Sequence, residues 1–527
     1  MQQQRSLIFI TILAIAVSFA NIGGLDVYAL DEAKNAEAAR EMLESGNYVV
    51  PHFNYELRTD KPPLHYYFMV AGYKLLGVNA AGARLFSSLL GVLTIVMTFL
   101  FARKHFGENV AIYAGLVLTA SLHFALQIHM SVPDPYLIFF LSWGLFSFYE
   151  AYHNGSRWYL LAFYFAIGCG LLTKGPIALG LCGLSALLFL ILNRDFKWKT
   201  IWRLQPFGGV TLSLLVALPW YYAVHEQTQG VWTDEFFFKH NFSRFSDAME
   251  GHQGIFLLTF AYVFLLGMLS FLPFVFQSLK NAWFKSKEHP AAKFLLIVVS
   301  VILIFFAVSS TKLPNYTVPS YPFLAILVGL ALDRFVKSPG WFIKTGNRMG
   351  YIAYSIFMVL FPVGIYFGLN ADPSLDHLSY LALYFIPLSI MGVLLLMNLK
   401  KRSVAQAVQY LAGGWLITIV LFFYLIFPQV DQENPVRKTL PTMDLSQEIV
   451  AYQRLNAAYL FALQREVKRF DTLEPIRALV NSKAAGYVIS RTEYREELES
   501  IPGLVYHAEA KDTFENPTTL VMKWGKP

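Results

Sequence analysis

The sequence predicts a polytopic membrane protein of about thirteen transmembrane helices followed by a small α/β domain. Hydrophobic residues make up 56% of the 527 positions and charged residues only 15%, a balance that soluble domains do not have. Apolar runs recur along the chain, and each approaches the ~20 residues that a helix needs to cross a bilayer. Lys and Arg are concentrated in alternate loops, as the loops on the two sides of a membrane require.

The predicted spans are apolar runs with almost no charge, and a helix is the form in which such a run satisfies its own backbone in lipid. They lie near Ser6–Gly23, Ala83–Ala102, Val110–Phe124, Val132–Tyr152, Trp158–Leu172, Pro176–Leu192, Pro206–Val224, Gly254–Leu279, Phe294–Ser309, Val318–Phe335, Met349–Leu369, Leu378–Leu399 and Val404–Phe427. The first run starts like a signal peptide, but residues 21–25 make a poor cleavage site, so we expect a retained anchor.

The loop charges predict a cytoplasmic N-terminus, because cytoplasmic loops hold the excess of Lys and Arg. The short loops on the other side contain only Lys174 and Lys312. The net charge of +7 follows from this topology, and nucleic-acid binding has no support. The basic loops contain Arg5, Arg103, Lys104, Arg157, Arg194, Lys197, Lys199, Arg203, Lys280, Lys285, Lys287, Lys293, Arg334, Lys337, Lys344, Arg348, Lys400, Lys401 and Arg402.

Two outer segments, Leu25–Gly82 and Glu226–Gln253, are too long to be simple connectors, and long loops between packed helices are usually functional. The first contains the Ala-rich stretch Glu32–Leu43 and the amphipathic stretch Pro63–Leu76. Both are typical of helices that lie at the membrane interface. An odd number of spans places everything after the last one outside the cytoplasm.

The composition changes after the last span, so we divide the chain into a transmembrane domain, 1–427, and an extracytoplasmic domain, 428–527. Charge rises in the second part, and short runs of β-forming residues appear there. Together they predict a small α/β domain. The predicted β runs are Tyr459–Leu463, Gly486–Ser490, Leu504–His507 and Thr519–Trp524.

Three carboxylates stand where the chain meets the outer face. Asp31 and Glu32 open the first loop helix, and Asp134 lies between two prolines at the mouth of the fourth span. The first two also suit helix capping and the positive end of the helix dipole. A charge at membrane depth is costly, so Asp134 implies a cavity or a partner, although turn structure explains it equally well.

Several cations share this face. Lys61 is followed by two prolines and preceded by Arg58, Lys312 precedes the tenth span, and Arg244 lies in the second long loop. A snorkelling interfacial lysine is the alternative explanation for Lys61. Cations at headgroup height bind a lipid phosphate and stabilise its charge if it leaves. A nearby carboxylate can deprotonate an incoming hydroxyl.

At these residues the chain resembles the GT-C glycosyltransferases of the aminoarabinose transferase and protein O-mannosyltransferase superfamily. The matching motifs follow one another nearly from end to end, and they are the acidic pair 31–32 with residues 36–51, Lys-Pro-Pro-Leu (61–64), Leu-Thr-Lys-Gly-Pro (172–176), Leu-Pro-Trp-Tyr (218–221), His-Asn-Phe-Ser-Arg-Phe (240–245) and Thr-Lys-Leu-Pro-Asn-Tyr-Thr-Val-Pro (311–319). The aminoarabinose branch also has thirteen spans and a periplasmic α/β tail, so the chain resembles it more closely than the eukaryotic enzymes.

The resemblance implies roles for individual residues. Asp31 becomes the catalytic carboxylate, Asp134 a second active-site acid, and Glu32 the residue that orients Asp31 or its loop. The implied ligands of the lipid phosphate are Lys61, Arg244 and Tyr316, and we group Arg58 and Lys312 with them as substrate-binding residues. Lys174 matches a motif position without an assigned role.

Some relatives hold a divalent cation near the Lys-Pro-Pro motif, where Asp60, His240 and His252 are conceivable ligands. Their spacing is not diagnostic, so we expect no metal.

The expected function is transfer of a sugar, such as 4-amino-4-deoxy-L-arabinose, from a polyprenyl-phosphate donor to an extracytoplasmic acceptor such as lipid A. We expect a monomer in the bacterial inner membrane, without a cofactor beyond the lipid-linked donor substrate. A protein or cell-wall glycan acceptor is the first alternative. A lipid flippase is the second, disfavoured because we find no repeat and no charge deep within the spans. A third treats the C-terminal domain as a module for binding a partner.

Overall fold

Apolar helices dominate the computed structural model, which describes residues 2–243, 254–482, 485–513 and 517–525. The long helices pack around one hydrophobic core that extends from Ile10 to Ile426. Up to the last apolar span the α-helices are α1 (Gln2–Ser18), α2 (Leu30–Ser45), α3 (Leu64–Leu76), α4 (Ala80–Phe106), α5 (Glu108–Thr119), α6 (Leu122–Ile128), α7 (Pro133–Asn154), α8 (Arg157–Lys174), α9 (Ile177–Leu192), α10 (Trp198–Leu204), α11 (Pro206–Gln227), α12 (Val231–Asp234), α13 (Phe256–Tyr262), α14 (Leu272–Lys285), α15 (Pro290–Val308), α16 (Tyr321–Lys337), α17 (Thr345–Asn370), α18 (Ile386–Lys401) and α19 (Val404–Leu421).

Shorter helical turns of other types join several of these helices. The π-helical segments are Glu235–Ser243, Val263–Gly267 and Phe422–Ile426, and the 3-10 segments are Leu269–Phe271, Pro314–Ser320, Pro339–Trp341 and Asp376–Phe385. All thirteen predicted spans fall mainly on helical residues. Within the described part of the chain, seven helices are individually long and apolar enough to cross a membrane, or nine if each of two bent pairs is one span. The number of crossings stays a prediction.

The run predicted as Val110–Phe124 is not one straight helix. It is divided between α5 and α6, which meet at an angle of 67°. The break lies at Ser121, whose backbone is extended and whose hydroxyl accepts a hydrogen bond from the amide of Phe124. A serine that caps a new helix in this way ends the previous one, and hydropathy alone does not detect it.

The two interfacial helices predicted in the first long loop are α2 and α3. Alanines give α2 a strong helix propensity, and the helix ends at Gly46, whose φ of +67° favours glycine. The small side chains of Ala33 and Ala36 let α3 approach closely, so that Tyr66 and Tyr73 are buried between the helices. The hydroxyl of Tyr73 donates to the carbonyl of Ala36 at 2.9 Å.

The C-terminal residues contain a five-stranded mixed sheet. The strand order is β4-β3-β5-β7-β6, in which β3 pairs in parallel with β4 and β5, and β7 pairs antiparallel with β5 and β6. The strands are β3 (Glu448–Tyr452), β4 (Lys468–Phe470), β5 (Gly486–Arg491), β6 (Leu504–Lys511) and β7 (Thr518–Trp524), after the hairpin β1 (His52–Phe53) and β2 (Glu56–Leu57) in the first loop. The helices of this region are α20 (Phe427–Asp431), α21 (Pro435–Thr439), α22 (Ala458–Leu463), α23 (Glu474–Asn481) and α24 (Arg495–Glu499).

Three of the four predicted β runs lie on strands β5, β6 and β7, but the run Tyr459–Leu463 is wrong. It forms α22, which follows a turn where the side chain of Asn456 accepts a hydrogen bond from the amide of Ala458. Tyr459 and Leu460 are then buried in a cluster that also contains the alanines of α2. Burial against a neighbouring helix outweighs the β propensity of the aromatic residues.

Polar contacts join the first long loop, the turn after α17 and the C-terminal sheet at one end of the helical bundle. Asp26 forms a bidentate ion pair with Arg437, with N–O distances of 2.6 and 2.8 Å. Lys511 donates to Asp372 at 2.7 Å and, with Ser374, lowers the pKa of Asp372 to about 2. At the other end, Glu150 binds Lys104. These groupings match the predicted division of the loops between two sides, whereas the orientation in the membrane stays a prediction.

Asn54 provides a direct test of the link between the first loop and the sheet. Its amide nitrogen donates to the carbonyl of Val467 at 2.9 Å, and its amide oxygen accepts from the Val467 amide at 3.0 Å. Asn54→Gly keeps the positive φ of +55° but removes both hydrogen bonds, worth about 2 kcal/mol together. We expect amide exchange of the peptide that contains Val467 to accelerate about tenfold or more, measured by hydrogen–deuterium exchange. Asn54→Asp, which keeps the acceptor, is the matched control, and unchanged exchange in the glycine variant contradicts the link.

Candidate active site

A buried ion pair holds the start of α2 in place. Both carboxylate oxygens of Glu32 accept hydrogen bonds from Arg84 on α4, each at 2.7 Å. The other three guanidinium N–H groups donate to the carbonyls of Ile22, Leu25 and Asp26 at 2.7–3.0 Å. All five donors of the buried arginine are therefore satisfied, which a buried charge requires.

Glu32 also fixes the loop before α7, because one of its oxygens accepts the backbone amide of Ser131 at 2.8 Å. Three separate elements thus meet at one carboxylate. Asp31 is one residue away but exposed, and helix geometry points its side chain about 100° away from that of Glu32. The geometry gives the two acids different tasks, because Glu32 is committed to the fold while Asp31 faces the outside.

Asn35, which the sequence did not single out, organises the residues beneath Asp31. Its amide nitrogen donates to the carbonyl of Asp31 at 2.6 Å. Its amide oxygen accepts from Arg58 at 3.2 Å, from the hydroxyl of Tyr66 at 3.3 Å and from Nε2 of His65 at 3.1 Å. Since that oxygen can only accept, His65 carries its proton on Nε2. No pattern in the sequence marks this asparagine, because it is one polar residue in an Ala-rich helix.

Arg58 is a buried guanidinium with spare hydrogen-bonding capacity. Its side chain lies 5.7 Å from the ring of Phe53 and 6.0 Å from that of Tyr66, and a weak ion pair of 3.6 Å connects it to Asp60. Its Nε and Nη1 atoms are buried and have no hydrogen-bond partner among the residues that the structure describes. An anion brought to these donors satisfies them.

His65 lies among cations from two parts of the chain, the loop before α3 and the end of α8. Burial lowers the pKa of His65 well below its ordinary value, and the positive charges of Arg58, Lys61 and Lys174 lower it further. The imidazole is therefore neutral at physiological pH. Burial also raises the pKa of Tyr66, as do the negative charges of Asp60 and Asp31. His65 and Tyr66 are adjacent, so these charged groups act on the same pair of side chains.

Asp134 and Lys174, one of the cations that act on His65, form an ion pair with an N–O distance of 2.7 Å. α7 and α8 are joined by a short turn and run antiparallel, so the first turn of α7, with Asp134, meets the last turn of α8, with Lys174. Each charge is at the helix end that favours it. The ammonium of Lys174 lies 5.2 Å from the centre of the Tyr316 ring, which stacks on Phe306. The structure thus gives Lys174 a partner that its motif did not reveal.

Lys312 is engaged elsewhere. Its ammonium donates to the carbonyls at the end of α15, at 2.9 Å to Ala307 and 3.3 Å to Phe306, and also to that of Ser309. Burial lowers the pKa of Lys312. A cation that completes the carbonyls of a helix C-terminus acts as a cap, so the geometry here favours a structural role over the predicted substrate contact.

Arg244, the remaining predicted phosphate ligand, lies outside the described residues, as does His252. The structure therefore gives no position for either. Among the residues that it describes, no group of three or more His, Cys, Asp or Glu side chains is arranged to hold a metal ion.

Known proteins resemble this chain in sequence and in fold. A family model described as dolichyl-phosphate-mannose-protein mannosyltransferase matches residues 60–222. The undecaprenyl phosphate-alpha-4-amino-4-deoxy-L-arabinose arabinosyl transferase 2 of Pseudomonas fluorescens is 30% identical over 380 residues, which cover 70% of this chain and 66% of that enzyme. The crystal structure of ArnT from Cupriavidus metallidurans bound to undecaprenyl phosphate superimposes with a TM-score of 0.78 at 22% identity, over 98% of this chain and 97% of that chain.

The chain belongs to the aminoarabinose transferase-like GT-C glycosyltransferases. The predicted resemblance is thereby confirmed. The ArnT-like chain is accordingly a multi-pass protein of the bacterial inner membrane. A more distant structure, the archaeal oligosaccharyltransferase AglB from Archaeoglobus fulgidus, superimposes with a TM-score of 0.51 at 12% identity over 94% of this chain and 70% of that one, which indicates a shared fold.

The division of tasks between the two adjacent acids leads to a stability prediction. Glu32→Gln leaves the buried charge of Arg84 uncompensated, at a cost of about 3–5 kcal/mol, whereas Asp31→Asn changes an exposed side chain. We expect the unfolding midpoint to fall sharply in the first variant and to change little in the second. A thiol-reactive fluorophore measures it, because Cys169 and Cys182 are both buried. Equal loss of stability in the two variants contradicts the assignment.

His65 gives the protein a specific sensitivity to acid. The pKa of His65 is lowered in the folded state, so the unfolded state binds more protons once the pH falls below the ordinary value of about 6.5. The free energy of unfolding therefore decreases as the pH falls, by about 1.4 kcal/mol per pH unit. His65→Gln cannot titrate but can still donate to Asn35. We expect the unfolding midpoint of the glutamine variant to fall less than that of the wild type between pH 7.5 and 5.5. Parallel pH profiles contradict the prediction.

Proposed function

We propose that the chain transfers a sugar from a polyprenyl-phosphate donor to an acceptor on the extracytoplasmic face. The observation that carries the proposal is the group of cations near His65. Arg58 donates to the same oxygen of Asn35 as His65 does, and the positive charges of Lys61 and Lys174 act on that imidazole. Exposed Asp31 is bonded through its carbonyl to the same Asn35. Such a cluster suits a phosphate, whose negative charge grows as the sugar leaves. Nε and Nη1 of Arg58 have no partner within the described ranges and can donate to it, and Lys61, Arg244 and Tyr316 are the further proposed ligands.

The reaction is a direct displacement at the anomeric carbon. The acceptor oxygen forms the new bond while the bond from the anomeric carbon to the phosphate oxygen breaks, and the polyprenyl phosphate leaves with the electron pair. If the acceptor is a hydroxyl, Asp31 takes its proton as general base. If the acceptor is a phosphate, it is already anionic, and Asp31 only orients it. Glu32 and Asn35 hold Asp31 in position.

Asp134 has a second task in this proposal. Its ion pair with Lys174 keeps that ammonium at 5.2 Å from Tyr316, so the carboxylate fixes a cation near the leaving phosphate. Removing the carboxylate would free the ammonium without removing its charge. The proposed effect of Asp134 is therefore on the position of the donor.

We propose 4-amino-4-deoxy-L-arabinose as the sugar and lipid A as the acceptor, supported by the aminoarabinose transferases among the relatives. Undecaprenyl phosphate, which the related ArnT binds, is the proposed lipid. A protein acceptor is a second candidate, because the matching family model describes protein mannosyltransferases. We place the N-terminus in the cytoplasm and the C-terminal α/β domain in the periplasm, and we propose a monomer.

The test uses purified full-length enzyme, labelled undecaprenyl-phosphate aminoarabinose or a polyprenyl-phosphate hexose, and lipid A, peptide or polysaccharide as acceptor. We expect the label to move to lipid A with release of undecaprenyl phosphate. Asp31→Asn and Lys61→Ala should each lower turnover about a hundredfold or more. The first loses the group that positions or deprotonates the acceptor, and the second loses a charge that stabilises the leaving phosphate. Lys400→Ala, on the opposite side, is the matched control.

The outcomes separate the candidates. Wild-type turnover in Asp31→Asn overturns the assigned chemistry. Label in peptide or polysaccharide moves the proposal to another acceptor, and movement of the donor across vesicles without phosphate release indicates a flippase instead.

A further inference from the structure

We propose a second site, at the opposite end of the bundle, that binds the phosphate headgroup of an anionic phospholipid. α14, α16 and the segment from Pro339 to the start of α17 enclose a cavity of about 530 Å³, within the range of ordinary ligand sites. Three cations line it, Lys280, Arg334 and Lys344. This end carries the basic loops, so the sequence places it in the cytoplasmic leaflet.

The charge around the cavity is not neutralised from within. None of its described lining residues is acidic. The acidic side chains on neighbouring positions have other partners, since Asp333 pairs with Lys337 at 2.7 Å and Glu288 with Lys285 at 2.9 Å. Three cations around one cavity repel one another, and an anion bound between them offsets this repulsion.

Buried hydrogen-bond donors provide an independent observation. Asn281 and Trp341 are each only 4% exposed, and the amide nitrogen of Asn281 and the indole N–H of Trp341 find no acceptor in the described part of the chain. The orientation of the amide is settled by Arg334, which donates to its oxygen at 2.6 Å. Unpaired buried donors cost free energy, and a phosphate in the cavity supplies their acceptors.

A neighbouring acceptor is also unused. Gln277 donates through its amide nitrogen to Asn347 at 2.8 Å, and Asn347 in turn donates to the carbonyl of Trp341 at 2.9 Å. These two hydrogen bonds orient the amide oxygen of Gln277, which is buried and has no partner among the described residues. A hydroxyl group, as in a glycerol headgroup, is the complementary donor.

The lipid origin of the anion follows from the rim. Phe276 and Phe284 line the same cavity and are 58% and 50% exposed, which gives acyl chains an apolar surface beside the cations. The helix α17 starts beside the cavity, and only 17% of its most apolar stretch is buried in the protein. Lipid can therefore reach the cavity directly. Basic pockets between transmembrane helices on the cytoplasmic side are typical sites for anionic headgroups.

The test titrates purified full-length protein with phosphatidylglycerol or phosphatidylcholine and counts bound lipids by native mass spectrometry. We expect one phosphatidylglycerol to bind about tenfold more tightly than phosphatidylcholine. The double variant Lys280→Gln/Lys344→Gln should weaken it about tenfold, and Trp341→Phe, which removes one N–H but keeps an aromatic ring, about threefold. Lys400→Gln/Lys401→Gln is the matched control, with the same loss of charge on the same side, and should bind as the wild type does.

Two results overturn the proposal. One is unchanged phosphatidylglycerol affinity in both cavity variants while their unfolding midpoints stay at the wild-type value. The other is stabilisation by millimolar inorganic phosphate equal to that by the lipid, which assigns the cavity to a free anion. If the double variant does not fold, the affinity of Trp341→Phe for phosphatidylglycerol decides alone, provided that its unfolding midpoint equals that of the wild type.

Discussion

The ion pair between Glu32 and Arg84 is the constraint on which the site depends. It joins the first interfacial helix, a transmembrane helix and the loop that starts α7. Two charges leave water to form it, which is costly, and the cost is offset because all five donors of the arginine are used. Such a pair fixes position more than it adds stability. Its function is to set the height of Asp31, its neighbour, relative to the cations.

The cations of the site repel one another, which costs the protein free energy. Burial, together with the positive charges of Arg58, Lys61 and Lys174, keeps His65 neutral, and two donor atoms of Arg58 have no partner among the residues that the structure describes. An anionic donor bound beside these cations offsets their mutual repulsion, which contributes to its affinity. The ion pair of Asp134 with Lys174 reduces the repulsion between Lys174 and the other cations.

Much of this could be predicted from the sequence, because hydropathy, loop charge and the acidic pair at 31–32 are local signals. The different roles of Asp31 and Glu32 could not be predicted, since the sequence does not show that Arg84, inside an apolar run, reaches Glu32. Asn35 gives no local signal either. Lys312 lies in a matching motif, but in the structure it caps a helix. Tyr459–Leu463 has the composition of a strand, but it forms a helix that packs against α2. Each of these depends on a partner distant in the chain.

The helix α2, which carries Asp31 in its first turn, contacts both the helical bundle and the C-terminal region. One side of α2 packs on α3 above the bundle, and its alanines share a core with α22 and the sheet. The hairpin that follows it is paired to Val467. The C-terminal residues are therefore part of the wall behind the acid, and a chimera that exchanges them between relatives must exchange residues 30–57 as well.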